Sequence, residues 1–213
     1  MNLYELFSAV LTAPYVHVEN DASFFARTDG GTLYLLFQAS HGCTDWENNL
    51  DFPAIPYRDM PDRWMCHRGF LKAWKGVEPY IAKVLAETAA QRITVAGYSH
   101  GGALAMLCHE YIWFAHPRFR DILTGVGYGA PRVLFRIPGT LWPKERWATF
   151  TVVRNLDDIV THLPPYWLFY KHVGTLLEIG EKGRHTSIDA HRPENYKKSL
   201  YEYVTAHSDQ PPV

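Results

Sequence analysis

A serine with glycines two residues to either side, Gly97-Tyr-Ser99-His-Gly101, stands between an apolar run, Ile93-Thr-Val-Ala96, and a stretch of small residues, Gly102-Ala-Leu-Ala105. Read as strand, tight turn and helix, this spacing lifts the serine Oγ clear of the backbone, as a nucleophile requires. Glycine at 97 and 101 removes the Cβ atoms that would collide as the chain doubles back. The helix that follows directs its N-terminal N–H groups at negative charge developing beside Ser99. The His100 amide, next in the chain, is a candidate oxyanion donor. The chemistry these residues suit is attack by an activated hydroxyl on an acyl carbonyl.

A serine hydroxyl needs a base, and the base needs an orienting carboxylate. The apolar run 149–154 leads into Asn155-Leu-Asp-Asp-Ile-Val160. Asp157 and Asp158 therefore fall at the carboxyl end of a strand, where functional groups gather in open α/β sheets. Ordinary turn carboxylates capping exposed N–H groups are the plainer reading of the same pair. Of eleven histidines, five follow the aspartates. His162 is too close to the aspartate loop, His172 opens an expected strand, and His207 lies near the C-terminus. His185 and His191 remain, on the loop before the last helix, and position alone does not separate them.

These groups need a scaffold. Runs rich in β-branched and aromatic residues read as strands over 32–38, 92–96, 123–128, 149–154 and 172–179. Helical spacing over 70–90 places Phe70, Trp74, Val77, Ile81, Val84 and Leu85 near one face, with Pro79 expected to kink the helix or mark its start. Residues 103–114 read as a helix apolar nearly all round, hence buried, and 193–205 as an amphipathic surface helix. Alternating strands and helices with apolar strands imply the α/β class, a largely parallel sheet with helices on both faces.

Composition bounds the rest. The 213 residues suit one domain, taken as 1–207, with a polar tail at 208–213. Hydrophobic residues at 47% against 20% charged exclude a disordered chain. Twenty-one Lys and Arg against 22 Asp and Glu leave a net charge of −1, which argues against a nucleic-acid partner. Three cysteines without C-x-x-C spacing read as free thiols. The N-terminus lacks a basic signal-peptide region and no run of 18 apolar residues occurs, so the expected setting is cytoplasmic, without membrane insertion. Despite eleven histidines there is no H-E-x-x-H or comparable ligand spacing, so neither metal nor cofactor is expected. Aromatic residues make up 15%, and composition does not say whether they fill a core or line a binding surface.

Five segments together resemble the class 3 lipase family, the filamentous-fungal lipase and feruloyl-esterase type of α/β-hydrolase, from about residue 33 to 203. They are Leu35-Leu-Phe-Gln-Ala-Ser40 with Asp45-Trp46 and Asn49-Leu50-Asp51; His67-Arg-Gly-Phe70; Gly97 to Ala105; Tyr128-Gly-Ala-Pro-Arg-Val133; and Asn155 to Pro165, followed by His172-Val-Gly174. The resemblance implies a Ser-Asp-His hydrolase. It selects Asp158, directly before Ile159-Val160, over Asp157, and His191, in Asp189-Ala-His191 with Tyr196, over His185. It implies that Ser40 and His100 supply the oxyanion amides, and that the partner is a small-molecule or lipid ester. Gln38-Ala39 stands where the family carries Arg-Gly, and Tyr98 and His100 replace its customary His and Leu.

Trp46, Tyr98, Tyr166 and Trp167 are the expected substrate-facing aromatics. The segment 41–49, where fungal relatives carry an apolar helical lid, is polar here apart from Trp46. An esterase or monoglyceride-type lipase, rather than a strict triglyceride lipase, with weak or absent interfacial activation is therefore expected. A phospholipase or acyltransferase would use the same residues, and an inactive binding protein of the same fold is the remaining alternative.

Overall fold

The structure, a computed structural model, describes residues 1–18, 22–38, 53–59, 64–136, 145–183 and 185–207. Its centre is a sheet in which β3 (Thr32–Phe37), β6 (Arg92–Tyr98), β7 (Leu123–Tyr128), β9 (Phe150–Asn155) and β11 (Thr175–Ile179) run parallel in that order. Two antiparallel strands, β2 (Ser23–Asp29) and β1 (Val16–His17), extend it beyond β3. Four short antiparallel strands, β4 (Ala54–Pro56), β5 (Met65–His67), β8 (Leu134–Phe135) and β10 (Tyr170–Lys171), form a second sheet in the order β10-β8-β5-β4.

Successive strand residues feed two cores because side chains alternate across a sheet. Leu33, Leu35, Phe37, Ile93 and Val95 join α2 (Arg68–Glu87) and α3 (His100–Ala115) on one face. Leu36, Ala96, Tyr98 and Val153 join α1 (Leu3–Thr12) and α4 (Pro193–Ala206) on the other. Strands covered on both sides read as continuous apolar runs, which is why they were visible in the sequence. The α/β class with a mostly parallel central sheet is what the structure has.

Several local expectations change. α2 starts at Arg68 and continues through Pro79. Pro79 and Lys75, whose carbonyl loses its partner, both lie on the exposed side, where water can take up that bond. The strand expected over 172–179 begins only at Thr175. Gly174 has φ +81°, and a Cβ there would lie 2.1 Å from the Phe150 carbonyl oxygen, so the chain must turn before pairing begins. The sequence reading missed α1, β2 and the second sheet. α1 opens with a reciprocal cap in which the Glu5 amide donates to Asn2 Oδ1 and the Asn2 amide to Glu5 Oε2, each at 2.9 Å. Cys66 and Cys108 are free and buried; Cys43 lies outside the described residues.

Candidate active site

Ser99 follows β6 directly and takes φ 56°, ψ −122°, a sparsely populated backbone state for a residue with a Cβ. Close approach on both sides imposes it. A Cβ at Gly97 would lie 2.1 Å from the Gly101 carbonyl oxygen, and one at Gly101 would lie 2.2 Å from that of Phe37. The Ser99 amide donates to the Tyr128 carbonyl at 2.9 Å, which fixes the turn to the neighbouring strand.

The other two groups arrive from the carboxyl ends of later strands. Asp158 lies three residues beyond β9, with no solvent exposure. His191 sits in a short 3-10 turn, Asp189–His191, before α4. Backbone bonds hold the two loops side by side: the Ser187 amide donates to the Asp157 carbonyl at 2.7 Å, and the Ile159 amide to the Ser187 carbonyl at 3.3 Å. His191 Nδ1 is 2.8 Å from Asp158 Oδ2, and its Nε2 is 2.8 Å from Ser99 Oγ. A carboxylate only accepts, so Nδ1 carries the proton and Nε2 is left to accept from the serine hydroxyl.

Asp158 is held by two further donors. The Val160 amide reaches Oδ1 at 2.8 Å and the Tyr196 hydroxyl reaches Oδ2 at 2.6 Å. Burial, with the Asp158 charge beside it, keeps the Tyr196 phenol well above its ordinary pKa, so it remains a donor. Its oxygen also accepts from the Asn155 amide at 3.1 Å. Three hydrogen bonds to a buried carboxylate hold it in one orientation.

The structure thus brings Ser99, Asp158 and His191 together, and leaves Asp157 and His185 apart from them. Asp157 turns outward to accept from the Gly183 amide at 2.5 Å, and His185 is exposed. His100 opens α3, whose first-turn N–H groups point out of the helix end, and its ring lies 5.4 Å from that of Phe70. Ser40 and Trp46 lie outside the described residues. Tyr166 and Trp167 are each 64% exposed, on a 3-10 turn eight residues past Asp158. Tyr98 is corrected: the expected substrate-facing side chain is buried, stacks on the His191 ring and donates to the His191 carbonyl. It alternates with Ser99 along the chain and so points into the core shared with α1 and α4.

Two contributors escaped the sequence reading as site residues. Tyr196 follows His191 by five residues, in the first turn of α4, where an inward aromatic is indistinguishable from core filler. Gly129 has φ +55°, and a Cβ there would lie 2.9 Å from His191 Cε1 and 3.0 Å from the Tyr196 hydroxyl. Its signal was its place directly after β7.

Residues 34–167 match the family model described as Lipase (class 3). The lipase of Rhizomucor miehei is 28% identical over 153 residues, which are 67% of this chain and 40% of that protein. The lipase of Rhizopus oryzae is 27% identical over 153 residues, 67% of this chain and 37% of that protein. The chain therefore spans about two fifths of the length of the curated relatives it matches. The solved structure of Rhizomucor miehei triacylglyceride lipase superposes with a TM-score of 0.68 at 23% identity, covering 83% of this chain and 78% of that one. The chain belongs to the class 3 lipase family, with the α/β-hydrolase fold of the fungal lipases.

Proposed function

We propose that the protein hydrolyses carboxylic esters, of acyl glycerols or similar alcohols, through an acyl-enzyme on Ser99. The observation that carries this reading is the unbroken line from Asp158 through His191 to Ser99, 2.8 Å at each step, at a serine held in a strained turn before a helix.

In this reading the Ser99 oxygen attacks the ester carbonyl as its proton passes to His191 Nε2. Asp158 faces the imidazolium that forms. The His100 amide, with that of Ser40 as the second donor, stabilises the oxyanion. As the tetrahedral intermediate collapses, the carbon–oxygen bond to the alcohol breaks and the leaving alkoxide takes the proton from His191. Water then attacks the acyl-enzyme as its proton passes to the same imidazole; the bond from the acyl carbon to Ser99 Oγ breaks, Oγ takes the proton back from His191, and the carboxylic acid leaves.

Ser99→Ala should lower turnover of a short nitrophenyl ester by at least ~10³-fold with the fold unchanged, and abolish labelling by a fluorophosphonate. Undiminished turnover in that variant would overturn the reading. Low interfacial activation belongs to the same proposal, since 41–49 is polar apart from Trp46. A sharp rise in rate above a substrate's solubility limit would contradict it.

A further inference from the structure

We propose that Tyr98 is a positioning residue that clamps His191 twice, by its hydroxyl on the main chain and by its ring on the imidazole face. The inference rests on the reading of His191 as the base for Ser99.

Tyr98 is the last residue of β6, a central strand between β3 and β7, and pairs with Tyr128 of β7. Its ring is wedged between Phe7 of α1 (centroids 5.5 Å, 81°) and Tyr196 of α4 (5.7 Å, 66°). It lies nearly parallel to the His191 ring, 5.0 Å away at 22°. The hydroxyl reaches past that ring to donate to the His191 carbonyl. The turn carrying His191 has other ties, from Asn155 Nδ2 to the Ala190 carbonyl at 2.9 Å and from Asn195 Nδ2 to that of Asp189 at 2.7 Å, but these hold its neighbours. Tyr98 is bonded to Ser99 and holds His191 itself, so one side chain links the positions of nucleophile and base.

The ring contact has an electronic consequence. An electron-rich aromatic face beside an imidazole favours its protonated form. In the proposed reaction that form appears as the Ser99 proton reaches Nε2. Among the described residues, the other ionisable or hydroxyl groups in contact with His191 are Asp158, from the loop after β9, Ser99, and Tyr196, from α4. Asp158 supplies the charge, and Tyr98 supplies the face.

Two variants separate the two contacts, with concentrations of competent enzyme set by fluorophosphonate titration. Tyr98→Phe keeps the ring and should lower kcat ~10-fold with KM within about twofold and the acid limb of the kcat/KM profile unmoved. Tyr98→Leu removes both contacts and should lower kcat further, while the acid limb moves about half a unit to lower pH. A merely structural role predicts fewer competent molecules with unchanged kcat and pH profile. Wild-type kcat and acid limb in Tyr98→Leu would overturn the proposal; if that variant does not fold, wild-type kcat in Tyr98→Phe overturns it. Failure of Ser99→Ala to lose activity would instead sink the underlying assignment, so the two failures are distinguishable.

Discussion

The Tyr196 hydroxyl lies 2.6 Å from Asp158 Oδ2, the same oxygen that faces His191 Nδ1 at 2.8 Å. One carboxylate oxygen therefore accepts from both the imidazole and the first turn of α4. Tyr196→Phe should lower kcat several-fold to ~10-fold with little change in KM, because Asp158 loses one of the donors that fix it. Stability should fall by ~1–3 kcal/mol, since the Asn155 amide also loses its acceptor. Ester kinetics with urea unfolding of the same preparation checks both, and wild-type kcat would show that the Val160 amide suffices to orient Asp158.

Gly129 serves the same constellation by having no side chain. Gly129→Ala adds a Cβ 2.9 Å from His191 Cε1 at a backbone angle of +55°, and the left-handed region alone costs an L-residue ~1–2 kcal/mol. The imidazole must move, so activity per folded molecule should drop by more than tenfold. The measurement is kcat after correction for the folded fraction by circular dichroism. A variant destabilised but fully active per folded molecule would show that His191 has room to adjust.

The sequence made the site legible wherever chemistry and local structure reinforced each other. Gly97, Ser99 and Gly101 each have a local reason to be what they are, and the apolar strands that position them alternate with helices. Asp158 and His191 are different: 33 residues separate them, and the Asp157–Ser187 and Ile159–Ser187 backbone bonds that join their loops leave no local signal. Only the family resemblance chose between neighbouring candidates. Tyr98, expected to face the substrate, shares the face of β6 that carries Ala96, so strand alternation points it into the core beneath α1 and α4. The short strands of the second sheet carry two or three residues each, too few to show any period.

Away from the site, Arg146 and Glu110 form a buried ion pair at 2.8 Å. The guanidinium lies 3.9 Å from the Trp64 ring centroid, 4.2 Å from that of Trp147 and 4.7 Å from that of Phe114. This ties the approach to β5 onto α3. Arg146→Met should destabilise by ~3–5 kcal/mol, because Glu110 is left in a dry core without its partner. Adding Glu110→Leu should recover much of that loss, with kcat per folded molecule unchanged throughout. Chemical denaturation of the two single variants and the double variant measures the coupling, and simple additivity would contradict it.

His109 is fully buried, and burial lowers its pKa from 6.5 to about 3; His172 is lowered to about 3 by the same cause. His109 Nε2 is 3.1 Å from Thr149 Oγ1, and His172 Nε2 donates to the Thr161 carbonyl at 2.7 Å. Both rings are neutral in the native state, while the unfolded chain binds a proton at each below about pH 6.5. With the folded pKa below the unfolded one, their stabilising contribution is complete above 6.5 and drains as pH falls toward 3, at up to ~1.4 kcal/mol per pH unit for each ring. His109→Gln, which retains a polar group for Thr149, should therefore flatten the fall in unfolding free energy between about pH 6 and 4 by roughly one ring's share. Urea titrations across that range test it, and parallel slopes for wild type and variant would show that His109 does not set the acid limit.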